Sequence, residues 1–260
     1  AISQALASKA HFVYPEDTTL DSWALPSVLP AGEPNYCGKT HLFQSPIDIQ
    51  TSTASTCPTS KALTWELNTG IHKFTVENSG HNLKMVPVCC GVVDNSDSGG
   101  ESNDDDDSND NPEFENVASG NNFGVLTDIF GTMGTYCLDS FHIHWGIDDN
   151  TGSEHRVNGE QSVMEMHFVH RACKYSAITQ AIGIEINNDE TADPTLAVVS
   201  VMFEIGADNL LIGKIVDQVQ SLEKAESNIT ITASDLDMFD VVPMSNNKIS
   251  GNYYHYKGSL

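Results

Sequence analysis

The sequence predicts a mixed α/β fold that is mainly β: a large, twisted, mostly antiparallel central sheet with short peripheral helices. Between Leu63 and Val88 short apolar segments are broken by Asn68-Thr69-Gly70 and Asn78-Ser79-Gly80, turn chemistry that suits antiparallel strands. Leu138 to Gly146 and Val163 to His170 alternate in character with a period of two, as strands with two different faces do. One stretch, Asn209 to Lys224, carries a clear helical period in Leu210, Leu211, Ile215, Val216, Val219 and Leu222. At 260 residues the chain suits one domain, since mainly β domains of this size commonly stay undivided.

In order along the chain, residues 1–43 are rich in Pro and small polar residues and read as an irregular arm packed on a core. Residues 94–116 hold ten acidic side chains, from Asp94 to Glu115, among Ser, Asn and Gly with no basic residue. Such a segment buries too little apolar area to offset its ordering entropy, so it reads as an acidic surface insertion within the domain. Asp104, Asp106, Ser108 and Glu115 fall at EF-hand positions one, three, five and twelve, which admits weak calcium binding. Asn109 stands where that loop needs Gly and no flanking helices are evident, which argues against a true EF-hand. Leu196 to Ile205 is a near-continuous apolar run that reads as a strand buried on both faces, beside the strand of His167. Residues 225–260 return to turns and short extended pieces.

Lys and Arg number 12 and Asp and Glu 36, a formal charge of −24, which opposes binding to nucleic acid or anionic lipid because both need basic patches. No apolar run reaches the ~18 residues of a membrane span. The first residues lack the basic start and long apolar run of an intact signal peptide. Cys37, Cys57, Cys89, Cys90, Cys137 and Cys173 show no Cys-x-x-Cys spacing, so disulfides are the better reading than structural zinc. Cys89 or Cys90 could pair with Cys137 across the base of the acidic insertion if the flanking strands are neighbours. Asn228-Ile229-Thr230 is a glycosylation sequon. Together these tilt the compartment towards secretion, extracellular or periplasmic.

The chemistry concentrates in Ser140-Phe-His-Ile-His-Trp-Gly146 and Met164-Glu-Met-His-Phe-Val-His170. On strands, His142 and His144 share one face while Phe141, Ile143 and Trp145 take the other. An antiparallel neighbour that brings His167 onto the same face completes three nitrogens, the ligand set of a catalytic zinc with an open fourth position. Glu165, two residues before His167 on that face, is placed to accept its other ring N–H and fix the tautomer. A lone buried histidine is more often structural than a ligand. Three on convergent faces with an adjacent carboxylate are not explained by packing, whereas His170 falls on the opposite face and reads as structural.

These residues also carry a resemblance. Phe-His-Ile-His-Trp-Gly with Glu-Met-His-Phe-Val-His is similar to the zinc-ligand signature of the α-class carbonic anhydrases. Gln44-Ser-Pro-Ile-Asp-Ile49 resembles the family's N-terminal signature, Gly152-Ser-Glu-His155 its middle one, and Lys257-Gly-Ser-Leu260 the start of its C-terminal one. The resemblance implies zinc-dependent reversible hydration of carbon dioxide to bicarbonate, and that family is itself the reference case for the three-His site and its lowered water pKa. It implies a proton shuttle at His81, an apolar substrate pocket of Val169, Val198 and Leu260, and minor network roles for Tyr14 and Lys84. Glu154 matches the acid that orients a threonine beside the metal. Ser140 stands where the family usually has an amide bonded to the first zinc histidine, and Lys84 where a neutral polar residue often lines the water path to the shuttle.

The threonine partner of Glu154 should directly follow Leu260, as should a cysteine that pairs with the position of Cys37 in secreted members. The expectation is therefore that residues 1–260 alone are not a competent enzyme. A C-terminal segment, continuous or held as a second chain through Cys37, would complete them. A rival reading is a non-catalytic, carbonic-anhydrase-like binding protein whose acidic loop attracts calcium or mineral. A zinc hydrolase is disfavoured because no His-Glu-x-x-His helix is present.

Overall fold

A computed structural model of the chain describes residues 45–55, 63–67, 73–78, 82–87, 124–127, 134–185, 194–222, 227–232, 241–246, 248–249 and 253–258. In chain order the described strands are β1 (Asp48–Ile49), β2 (Thr64–Leu67), β3 (Lys73–Asn78), β4 (Leu83–Pro87), β5 (Gly124–Thr127), β6 (Tyr136–Trp145), β7 (Arg156–Val157), β8 (Glu160–Gln161) and β9 (Met164–Ala172). Helix α1 (Ile178–Glu185), strand β10 (Leu196–Phe203), helix α2 (Leu210–Gln218), and strands β11 (Asn228–Thr232), β12 (Met244–Ser245) and β13 (Lys248–Ile249) follow. A 3₁₀ turn, Val219–Leu222, continues α2.

β6 is the axis of the large sheet. Its ten residues are long enough to pair with two strands end to end on one edge, β4 through Phe141–Ile143 and β5 through Tyr136–Cys137. Its other edge takes β9 along nearly its whole length. From β4 the sheet continues to β3 and β11, from β5 to β2, β13 and β12, and from β9 to β10, every pairing antiparallel. A small second sheet sets β1 beside β7 and β8.

The alternation in β6 and β9 gives the sheet one apolar face. Phe141, Ile143, Met166 and Phe168 are buried there with Trp65, Phe74, Val76, Leu83, Met85 and Leu126. Phe141 stacks on Phe168 with ring centroids 5.5 Å apart, and Trp65 meets Phe168 edge-on at 5.2 Å. Each such ring contributes ~2–3 kcal/mol by leaving water. Leu211, Ile215 and Leu222 of the α2 region are buried in the same core, while Leu210 and Val216 face solvent. The helix is shorter than the periodicity suggests because its last turn tightens into the 3₁₀ form. Its start is capped by the Asn209 side chain, which accepts from the Ile212 N–H at 3.1 Å.

β2 and β3, either side of Asn68-Thr69-Gly70, are both strands of the antiparallel sheet, on opposite arms of it and separated by β4, β6 and β5. The hairpin is β3–β4, closed by the pair Asn78 and Leu83, and Asn78 itself is buried, donating from its side chain to the Leu222 carbonyl at 2.7 Å. β10 lies beside β9 as expected, but among the described residues it pairs with β9 alone and its side chains are half-buried or exposed. A run of Val and Ile does not distinguish a central strand from one with a covered face and an open one. The cysteine partner also differs: Cys137 is bonded to Cys173, with Cα atoms 5.0 Å apart, and not to Cys89 or Cys90. The β6–β9 register places Cys173, just past Ala172, next to the start of β6.

Helix α1 had no signal in the sequence. It is a short element containing Gly183, with its own Ala181 buried and the Gln180 side chain accepting the Ser176 N–H ahead of its first turn. No helix among the described residues is long and apolar enough to cross a membrane. Residues 94–116, read as an acidic insertion with weak calcium binding, lie outside the described residues, as do Tyr14, Cys37, His81 and Leu260.

Candidate metal centre

His142 lies directly opposite His167 in the β6–β9 ladder, and His144 lies opposite Glu165. Because successive residues alternate faces, this register sets all four side chains on the face away from the aromatic core. The ligand atoms of His142, His144 and His167 lie within 4.8 Å of one another, and the His167 Nδ1 stands 3.2 Å from the His142 Nε2.

Gly146 and Gly152 shape the end of this strand pair. A Cβ on Gly146 would fall 0.9 Å from the Thr151 carbonyl oxygen, and one on Gly152 would fall 1.8 Å from the Val163 carbonyl oxygen. Only glycine permits these approaches of backbone to backbone. They fold the segment after β6 back so that Glu154 and His155 reach the histidine cluster.

Glu165 is fully buried and accepts four hydrogen bonds. The His155 Nδ1–H and His167 Nε2–H reach its Oε1 at 2.6 Å and 2.7 Å, and the backbone N–H groups of Glu154 and His155 reach Oε2 at 2.8 Å and 2.9 Å. Burial opposes its ionisation, but the bonds from His155 and His167 outweigh that and hold the carboxyl well below its ordinary 4.5. With its Nε2 proton committed to Glu165, His167 presents the Nδ1 lone pair to the cluster. His155 Nε2 in turn accepts the Tyr256 O–H at 2.6 Å, and the Tyr256 oxygen accepts the Ser45 O–H at 2.6 Å, a proton assignment that satisfies every group in the chain. Burial raises the Tyr256 phenol above its ordinary 10.0.

Burial, with the neighbouring imidazoles, lowers His142 to about 3 and His144 to about 4, so both rings are neutral near pH 7. Among the described residues the buried His144 Nε2 has no hydrogen-bond partner, and it lies 3.3 Å from the Glu154 Oε2. The His142 Nε2 and His167 Nδ1 can share one proton at 3.2 Å, but a buried imidazole nitrogen left without a partner is costly unless a cation stands beside it. Three converging imidazoles, one with its orientation fixed by a carboxylate, are a donor set that fits zinc.

The remaining predicted residues take these places. Ser140 is buried opposite Val169, and no hydrogen bond joins its hydroxyl to His142 among the described residues. Val169 and Val198 are opposite one another on the histidine face, with Val198 41 % exposed. Lys84 lies opposite His142, and Asn228 is the exposed first residue of β11. The Glu154 carboxylate also lies 3.8 Å from the His167 Nδ1. His155 and Tyr256 were not anticipated. His155 sits beside Glu154 in a quoted motif and could have been found there, whereas nothing local marks Tyr256, which is 101 residues away. His170 is fully buried, bonded through Nδ1 to the Phe168 carbonyl at 2.9 Å and packed on Trp65.

Residues 115–260 match the family model of the eukaryotic-type carbonic anhydrases. The chain is also similar to carbonic anhydrase 1 of Mus musculus, 31% identical over 218 residues, which covers 84% of this chain and 66% of the mouse protein. A strand-borne three-histidine cluster in a large antiparallel sheet, together with a family match over more than half its length, makes this chain a member of the α-class carbonic anhydrase family.

Proposed function

We propose that the protein catalyses zinc-dependent reversible hydration of carbon dioxide to bicarbonate and a proton. The observation that carries this is the convergence of His142, His144 and His167, with the His144 Nε2 left buried and unbonded. Zinc held there supplies a Lewis acid that lowers the pKa of a water to ~7, carbonic anhydrase being the reference case for that value. Glu165 keeps the His167 ring oriented and its Nδ1 free of a proton. Val169 and Val198 offer apolar surface beside the histidines for a small uncharged substrate. The Glu154 carboxylate, 3.3 Å from the His144 Nε2, is the acid proposed to orient a hydrogen-bonding partner beside the metal. One proton leaves per cycle, and His81 is the proposed carrier to solvent, a task that suits an imidazole because its unperturbed pKa is ~6.5.

Secretion is proposed as well, supported by the Cys137–Cys173 bond and the exposed Asn228 sequon. The test of function is His144→Ala, which should lose stoichiometric zinc and carbon dioxide hydration together. Full zinc retention by that variant would overturn the ligand assignment. Tight zinc binding by the unaltered protein without hydration would favour the non-catalytic reading.

A further inference from the structure

One row of side chains crosses the histidine face of the sheet. Asn228 is opposite Glu77, Glu77 opposite Lys84, Lys84 opposite His142, His142 opposite His167, and His167 opposite Ser200. Lys84 is thus one strand spacing, ~5 Å, from His142, and its charge already bears on that ring. The residue is half-buried on that face. Glu77 is its cross-strand neighbour, yet no ion pair involves Lys84 among the described residues.

The rest of the molecule works against anions. A formal charge of −24 repels bicarbonate and every small anion that would compete with it. A cation beside the metal site offsets this locally while leaving an uncharged substrate unaffected. We propose that Lys84 is the anion-recruiting residue of this site, drawing bicarbonate and small monovalent anions to the metal site against the opposing Glu154 carboxylate, 3.3 Å from the His144 Nε2. The inference rests on the carbonic anhydrase reading and adds to it a determinant of anion affinity particular to this chain.

A unit charge ~7 Å away, in surroundings between bulk water and protein interior, changes the affinity of a monovalent anion about three- to tenfold. The test is a visible-spectrum titration of the cobalt-substituted protein with thiocyanate, in unaltered protein and in Lys84→Arg, Lys84→Met and Lys84→Gln. Met keeps the half-buried stem and Gln keeps polarity, so a folding defect in one leaves the other as a probe. The Kd should rise about three- to tenfold in the Met and Gln variants and stay within about twofold in the Arg variant. Equal thiocyanate affinity in all four proteins overturns the role of Lys84 alone, whereas failure of the unaltered protein to take up cobalt defeats the metal-site reading beneath it.

Discussion

At the scale of single residues, the site is governed by who holds which proton. Glu165 accepts four donors and can do so only as a carboxylate. In Glu165→Gln the amide NH₂ faces N–H groups, leaving at least one buried donor unsatisfied at a cost of ~1–3 kcal/mol, and His167 is free to change tautomer. The expected outcome is a zinc affinity ~10–100-fold weaker, measured by competition with a chromophoric chelator; unchanged affinity would show that the tautomer is set elsewhere. The histidine triad and Glu165 were legible in the sequence because period-two alternation fixes which side chains share a face. His155 and Tyr256 were not, because their roles depend on loops that return to the site. Only the structure shows that Tyr256 reaches His155 from the far end of the chain.

At the scale of elements, β6 and β9 are tied by their ladder, by the turn after β6, and by a disulfide at the opposite end. Gly146→Ala would drive a methyl group into the Thr151 carbonyl, so the segment carrying Glu154 and His155 must shift. We expect a loss of about 3 kcal/mol or more and weakened zinc binding, read by chemical denaturation and metal titration; a variant as stable as the parent would contradict the packing described. Cys137 and Cys173 close a span of 36 residues, for which the chain-entropy model gives ~3–4 kcal/mol. Cys137→Ser with Cys173→Ser should therefore lower the denaturation midpoint clearly while leaving the ligand set intact, which thermal melts of both proteins would check. The strands around the histidines could be read from alternation, but their neighbours could not. Turn chemistry at Asn68-Thr69-Gly70 says that the chain bends, not which strand it returns to, and an apolar run such as Leu196 to Phe203 does not report whether both faces are covered.

At the scale of the whole molecule, acid acts on stability through buried histidines. His170, fully buried, is lowered by burial from 6.5 to about 3. The unfolded chain binds its proton below about 6.5 and the folded chain only near 3, so between these values each pH unit of acidification favours unfolding by ~1.4 kcal/mol. His142 and His144 act with the same sign over 6.5 to about 3 and 6.5 to about 4 in the metal-free protein. Urea unfolding between pH 7.5 and 5 should show a steep fall, and His170→Gln, which keeps a donor for the Phe168 carbonyl, should flatten it by roughly one proton. An identical slope in the variant would contradict the burial of a neutral ring.

The central claim is that three histidines on two paired strands hold a zinc on which carbon dioxide hydration depends. The most direct measurement is zinc content and stopped-flow hydration rate on the same sample, as purified, after dialysis against a chelator, and after zinc is returned. We expect one zinc per chain, activity that falls in proportion to the metal removed, and recovery when it is restored. Hydration that persists at full rate in metal-free protein, or a chain that binds no zinc at micromolar concentrations, would contradict it.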